Sequence, residues 1–175
     1  MKPTMSDVPT HPAALPIDFL LADCKVRRGR RSGPGGQHRN KVETAIVIMH
    51  EPTGVRAEAT ERRSQEQNRR MAIFRLRVRL ALEHRCSVDA DSSPSVLWKS
   101  RCHGTRLSVS PTHDDFPAIL AEALDVLAAN HYNVAVASQW LDCSNSQLIK
   151  LLKSEPRAFL QINDHRQAAD LPPLR

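Results

Sequence analysis

Between Gly29 and Gln37 the chain places four glycines and a proline, ending in Gly33-Pro34-Gly35-Gly36-Gln37. Such a segment is a loop, because glycine and proline both break helix interiors and central strands. Adjacent glycines open backbone dihedrals closed to other residues and leave no side chain to block a close approach. Ordering them costs conformational entropy, so they suit a backbone that must enter a narrow site. Gln37 offers a backbone N–H donor and a neutral amide, neither of them a nucleophile or a strong base. Arg27, Arg28, Arg30 and Arg31 precede the loop, and Arg39 and Lys41 follow it. These cations would clamp phosphates on either side. No Gly-Lys-Ser/Thr follows, which excludes a P-loop, and the glycine spacing excludes a dinucleotide fingerprint. Taken by itself, a Gly-Gly-Gln is also compatible with a plain flexible turn.

Other chemistry is thin. The Ser, His and Asp residues show no hydrolase elbow. His84, Cys86, Cys102 and His103 match no common zinc spacing, and neither a metal nor a cofactor is expected. Cys24 and Cys143 read as small buried residues. With four cysteines in 175 residues there is no disulfide framework, so a reducing compartment is the default. The sequence contains no apolar run near the ~20 residues that span a bilayer. The N-terminus lacks the pattern of a secretion signal or transit peptide. A cytoplasmic protein without a membrane partner is therefore expected.

Charge supports a polyanionic partner. Lys and Arg number 25 against 19 Asp and Glu. Residues 25–85 hold 16 basic and 6 acidic side chains, whereas residues 111–175 hold 5 and 8. The surplus thus lies around the glycine loop. Aromatics make up only 4%, too few for a platform that stacks successive bases.

The elements that must position the loop follow from periodicity. A strand is expected over 19–27, with Leu21, Cys24 and Val26 as its apolar members. A second spans 44–50, with both faces covered. Glu51-Pro52-Thr53-Gly54 fits a type I turn, and 55–60 alternates as a third strand. A helix follows over 64–84. Its stripe Ala72, Ile73, Leu76 and Leu80 would lie on the dry face of the hairpin. Phe74, Val78 and Ala81 form a second patch that needs a cover from the C-terminal part. Residues 86–113 read as a linker, with short strands near 96–98 and 107–109. Beyond it, three helices are expected: one capped at Asp114 or Asp115, one over 133–141, and one opened by Ser144 with Gln147 at capping-box spacing.

Longer stretches carry a resemblance. Arg31-Ser32-Gly33-Pro34-Gly35-Gly36-Gln37-His38-Arg39-Asn40-Lys41-Val42-Glu43-Thr44-Ala45 resembles the signature of the class I peptide chain release factors. His50, Pro52-Thr53-Gly54, Arg63-Ser64-Gln65 and Asn68 match in order downstream. The likeness covers about residues 19–84. It implies an α+β fold: a small release-factor catalytic domain, with a short β-sheet packed on a long helix, joined to a small C-terminal all-α domain. The expected organisation is a disordered N-terminus over 1–15, the catalytic domain over 16–85, the linker over 86–113, a helical domain over 114–165 and a tail over 166–175.

The resemblance also implies roles. Gly35, Gly36 and Gln37 would be catalytic, with the Gln37 backbone N–H stabilising charge on the developing oxyanion or leaving oxygen. The Gln37 side chain would shape a pocket for water, and it is a candidate for N5-methylation by a glutamine methyltransferase. Arg28, Arg30, Arg31, Ser32, His38, Arg39, Asn40 and Lys41 would seat the loop among large-subunit ribosomal RNA and the tRNA acceptor end. Arg62, Arg63, Ser64, Gln65 and Asn68 would contact RNA or support the loop; Ser64 is equally a helix cap. Arg39 departs from the aliphatic residue common at that position. The implied partners are the ribosome, at its peptidyl-transferase centre, and peptidyl-tRNA, with the protein a monomer.

The chain has no room for a stop-codon reader, and its acidic tail does not resemble the basic mRNA-channel tail of one rescue branch. Codon-independent hydrolysis of peptidyl-tRNA on stalled ribosomes is therefore expected. An alternative is a ribosome- or RNA-binding protein that keeps the fold without hydrolysis. Ser138 to Leu148 also has helix-turn-helix spacing. With only Lys150 and Lys153 cationic on the second helix, packing or protein contact is preferred over DNA binding.

Overall fold

The computed structural model describes residues 10–29, 44–89 and 92–175. Strands β1 (Cys24–Gly29), β2 (Ala45–His50) and β3 (Arg56–Ala59) form an antiparallel sheet in the order β1-β2-β3. Ile46 pairs with Ala59 and Ile48 with Ala57, and all four side chains are buried on one face. The β2–β3 connection is longer than a type I turn over 51–54. Gly54 has φ +71°, its N–H donates to the His50 carbonyl at 2.9 Å, and the His50 N–H donates to Val55 at 2.8 Å. The left-handed glycine adds the extra residue that lets this loop close.

The strand expected over 19–27 divides. Ile17–Ala22 is a helix, α1, and β1 starts only at Cys24. Pro16 sets the backbone for the first turn, and Asp18 lies in that turn. Both favour a helix start, and Leu20 points into the core.

Helix α2 (Gln65–Glu83) lies across β2 and β3, with Ala72, Ile73, Leu76 and Leu80 buried as the stripe requires. Ser64 caps it by accepting the Gln67 N–H at 3.4 Å. The second patch is covered by α4 (Phe116–Ala129), which buries almost every residue from Phe116 to Leu127. One continuous core results, running from Ala13 to Ile162.

Residues 86–113 carry structure of their own. Val96–Arg101 is a helix, α3, where a strand was expected, and β4 (Cys102–His103) pairs with β5 (Arg106–Leu107). The Val-Leu-Trp run has strand-like composition, yet Ser95 caps a helix by accepting the Trp98 N–H at 3.0 Å. Glu122 of α4 holds that cap, accepting from the Ser95 N–H and hydroxyl at 2.7 and 2.6 Å. Trp98 is 1% exposed and donates its indole N–H to the Leu141 carbonyl at 2.7 Å.

Helices α5 (Val134–Trp140), α6 (Asn145–Lys153) and α7 (Pro156–Ala168) complete the fold. Asn133 and Ser144 cap α5 and α6. The Leu174 N–H donates to Asn163 at 2.7 Å, which returns the last residues to α7. No helix among the described residues is long and apolar enough to cross a membrane.

Trp98 ties α3 to the turn between α5 and α6. Trp98→Ala should therefore lower unfolding free energy by ~3–5 kcal/mol through the cavity it leaves. Trp98→Phe should cost less, about 1–3 kcal/mol, for the orphaned Leu141 carbonyl. Denaturant titration measures both.

Candidate nucleic-acid interface

The last pair of the β1–β2 ladder is Gly29 with Ala45. The chain between them leaves and returns at one point on the sheet. Gly35, Gly36 and Gln37 lie outside the described residues, as do Arg30, Arg31, Ser32, His38, Arg39, Asn40 and Lys41. What the structure describes is the frame at the base of that segment.

Asn68 is the centre of the frame. Its side chain is fully buried at the first turns of α2. The amide nitrogen donates to the Thr44 carbonyl at 2.7 Å and to the Arg62 carbonyl at 3.0 Å. The amide oxygen accepts the Arg62 N–H at 2.9 Å. An amide that uses both donors and its acceptor in the interior is a satisfied polar group. Asn68 consequently has no surface to offer RNA, and of the two roles expected for it, contact or support, its bonds are those of a supporting residue. The sequence held a signal for this: Asn68 precedes Ala72 and Leu76 on the same apolar stripe, where only a fully hydrogen-bonded polar residue is tolerated.

Arg28, Arg62 and Arg63 are exposed, and Ser64 is exposed beside them. Arg27 and Arg69 are exposed too, and no salt bridge engages any of these five arginines among the described residues. Gln65 is half-buried. Arg75, Arg77 and Arg79 of α2 behave differently. Arg75 donates to the Glu58 carbonyl at 2.9 Å and pairs with Glu61 at 2.6 Å. Arg79 donates to the Arg56 carbonyl and pairs with Glu83 at 2.7 Å. Arg77 donates to the carbonyls of Ala13 and Asp114, each at 2.9 Å. These side chains bolt neighbouring segments to α2, so part of the basic surplus is structural. The cations left to attract phosphate gather at β1 and at the approach to α2.

A buried polar joint lies at the other end of α2. His84, Cys86, Cys102 and His103 do not gather into one group of ligand atoms among the described residues. Among the described residues, the group with metal-ligand chemistry is His11, Cys86 and Asp125, with ligand atoms within 4.8 Å of one another. Its hydrogen bonds already commit it. The Ala13 N–H donates to His11 Nδ1 at 3.0 Å, which leaves the ring proton on Nε2, facing the His84 carbonyl at 3.3 Å. Asp125 accepts the Cys86 N–H at 3.1 Å and pairs with Arg85 at 3.5 Å. With both imidazole nitrogens engaged and a guanidinium alongside, the trio fits a structural joint rather than a metal centre. Burial pushes His11 down to about 4 and Asp125 up to about 6.

Compared with protein-family models, residues 14–105 match the RF-1 domain, more than half of the 175-residue chain. The matched span holds the sheet, α2 and the segment through α3 and β4. His11 precedes it and Asp125 of α4 follows it, with Cys86 within it, so the joint ties the matched span to α4.

That joint should titrate in two opposing ways. An unfolded chain protonates His11 below 6.5 while the folded one resists down to about 4, so this group removes stability as pH falls through that window. Folded Asp125 takes a proton near 6, against 3.8 when unfolded, so this group adds stability as pH falls from about 6. Relative to wild type, Asp125→Asn should lose more stability between pH 7 and pH 5, and His11→Asn less. Each difference should be on the order of 1–3 kcal/mol, read from melting curves against pH.

Proposed function

We propose, for a chain that belongs to the class I peptide chain release factor family, that it releases nascent peptides from stalled ribosomes without reading a stop codon. Members of this family are peptidyl-tRNA hydrolases and act on the ribosome. For this chain, the observation that carries the reading is the Gly35-Gly36-Gln37 segment strung between two paired residues, Gly29 and Ala45, beside exposed Arg28, Arg62 and Arg63.

The chemistry follows from what this segment contains. Water attacks the ester carbonyl that joins the peptide to the tRNA ribose. The carbonyl becomes tetrahedral and negatively charged, then collapses as the ribose oxygen departs as a hydroxyl, taking up the proton that the water gives up. In this reading the Gln37 backbone N–H donates to the charge that develops, the use to which preorganised amides are put in acyl transfer. Gly36 lets the backbone reach that position, and the Gln37 side chain limits the pocket to water. N5-methylation of Gln37 would add contact area without adding charge. Exposed arginines supply the phosphate contacts that hold the domain in place. Helix α4 packs onto α2 from the other side and carries α5 and α6, with α7 against α6, which would leave the sheet end of the molecule for the peptidyl-transferase centre.

Ribosomes carrying peptidyl-tRNA on an mRNA without a stop codon provide the test. Wild type should release peptide, and so should wild type acting on isolated large subunits. Gly36→Ala and Gln37→Ala should bind ribosomes with near wild-type affinity and release peptide at least ~10-fold more slowly. Equal release by these variants removes the segment from the mechanism. Wild type that binds but releases nothing reassigns the chain to RNA binding alone.

The exposed arginines give a separate expectation. The double substitution Arg62→Glu and Arg63→Glu should weaken ribosome binding by about 10-fold or more at ~0.1 M salt, and binding should depend less steeply on salt. Sedimentation of ribosome complexes across a salt series checks both.

A further inference from the structure

The α5–α6 pair has no part in the release chemistry, yet the structure builds it with care. Residues 141–144 join the two helices. Asp142 takes the left-handed conformation there, with φ +52°, in a turn that often carries glycine when it links two such helices. Three bonds hold the turn. The Cys143 N–H donates to the Ser138 carbonyl at 3.0 Å, the Leu141 carbonyl accepts the Trp98 indole at 2.7 Å, and the Ser144 N–H donates to the Thr105 carbonyl at 3.1 Å. The last bond sets the β4–β5 hairpin against the start of α6, so that exposed Arg106 stands beside it.

Packing uses only one side of α6. Leu148, Leu151 and Leu152 are buried. Ser146, Lys150 and Lys153 are exposed, and their spacing of four and then three residues puts them on one stripe opposite those leucines. Helix α6 contains no acidic residue. Among the described residues no salt bridge engages Arg106, Lys150 or Lys153, and Lys153 lies over the Phe159 ring, 5.6 Å from its centroid. The acidic surplus of residues 111–175 is largely committed elsewhere. Asp115 pairs with Arg101, Glu122 holds the Ser95 cap, Asp125 belongs to the buried joint and Glu155 pairs with Arg157. Of the two acids that flank α6, Glu155 is therefore neutralised, and Asp142 is exposed in the turn.

We infer that the exposed side of α6, together with Arg106, is a second RNA contact that takes the phosphate backbone of a double-helical segment of ribosomal RNA. The choice of ribosomal RNA rests on the proposed action at the ribosome. Three cations hold a separate duplex weakly, because each phosphate contact contributes only through the counterions it releases. They gain when the same polyanion is already held by Arg28, Arg62 and Arg63, since the second contact is then intramolecular. One continuous core connects the two regions. A DNA target would engage the α6 side without that help. Double-helical RNA is recognised mainly by its shape, its phosphates and its 2′-hydroxyls, which the Ser146 hydroxyl and two lysines suit.

The full-length protein with Arg106→Glu, Lys150→Glu and Lys153→Glu tests the contact, because all three side chains are exposed. With native circular dichroism, this variant should bind ribosomes at least ~10-fold more weakly at ~0.1 M salt, with a salt slope shallower by about 2–3. Its peptide release at saturation should stay within ~2-fold of wild type. Glutamine at the same three positions should weaken binding less and in the same direction, and it decides the matter if the charge-reversed variant does not fold. In wild type bound to ribosomes, ultraviolet crosslinking with mass spectrometry should join residues 145–153 to ribosomal RNA.

Unchanged affinity and salt slope in the variants overturn the second contact while leaving peptide release by wild type intact. Crosslinks from residues 145–153 to a ribosomal protein alone overturn it too, by making this side of α6 a protein contact. A DNA duplex bound more than ~10-fold tighter than an RNA duplex of the same sequence, each of about 16 base pairs, makes the occupant DNA and equally overturns it. Wild type that binds ribosomes but releases no peptide removes the release reading, whereas crosslinks to ribosomal RNA and weakened binding by the variants would still support this contact.

Discussion

The double burial of α2 governs this molecule. A helix on the surface of a small sheet ordinarily shows one apolar stripe, with a wet opposite side. Here the sheet takes one stripe and α4 takes a second, so only narrow strips of the helix meet water. Arginines occupy those strips and reach sideways to carbonyls of β3, the N-terminal segment and the approach to α4. Their long stems cover apolar edges while their heads satisfy backbone acceptors. A helix held on two sides gives its neighbours a common reference. The sheet end and the C-terminal helices therefore keep a defined relation without a hinge between them.

That rigidity suits the division of labour in ribosome-assisted hydrolysis. In the proposed reaction the protein would supply a few backbone groups, and RNA most of the surroundings. A small number of donors is effective only if their placement is settled before the reaction begins, because reorganisation at the moment of charge development would cancel the gain. The frame at the sheet end is built from backbone-directed bonds: the β1–β2 ladder, the Asn68 clamp and the Ser64 cap. Such bonds hold position without presenting side-chain chemistry of their own.

Much of this was legible from residues alone, and the exceptions have physical causes. Alternation gave β2 and β3, and the spacing of Ala72, Ile73, Leu76 and Leu80 gave α2 together with its need for a second cover. The strand expected over 19–27 overran the end of α1 because Phe19 to Leu21 suit a short helix as well as a strand, and the Leu20 side chain is buried in the core by the helical turn. Val96 to Trp98 misled because tertiary partners, Glu122 at the cap and Leu141 at the indole, override the strand preference of the run. Charge counting located the basic face but could not tell a free arginine from one donating to a carbonyl. Asn68 was recognised as a landmark, yet only three-dimensional pairing shows that its partners are Thr44 and Arg62. The His11–Cys86–Asp125 joint was invisible, since its members are separated by 75 and 39 positions and share no motif.

The pairing of Gly29 with Ala45 has a consequence for how the scaffold tolerates change. A segment whose two ends abut is a detachable module: residues can be inserted, deleted or exchanged within it while the scaffold stays intact. Doubling the length of such a closed excursion costs only ~0.6 kcal/mol in closure entropy. Changes of length between the two ends are thereby only weakly coupled to folding of the scaffold.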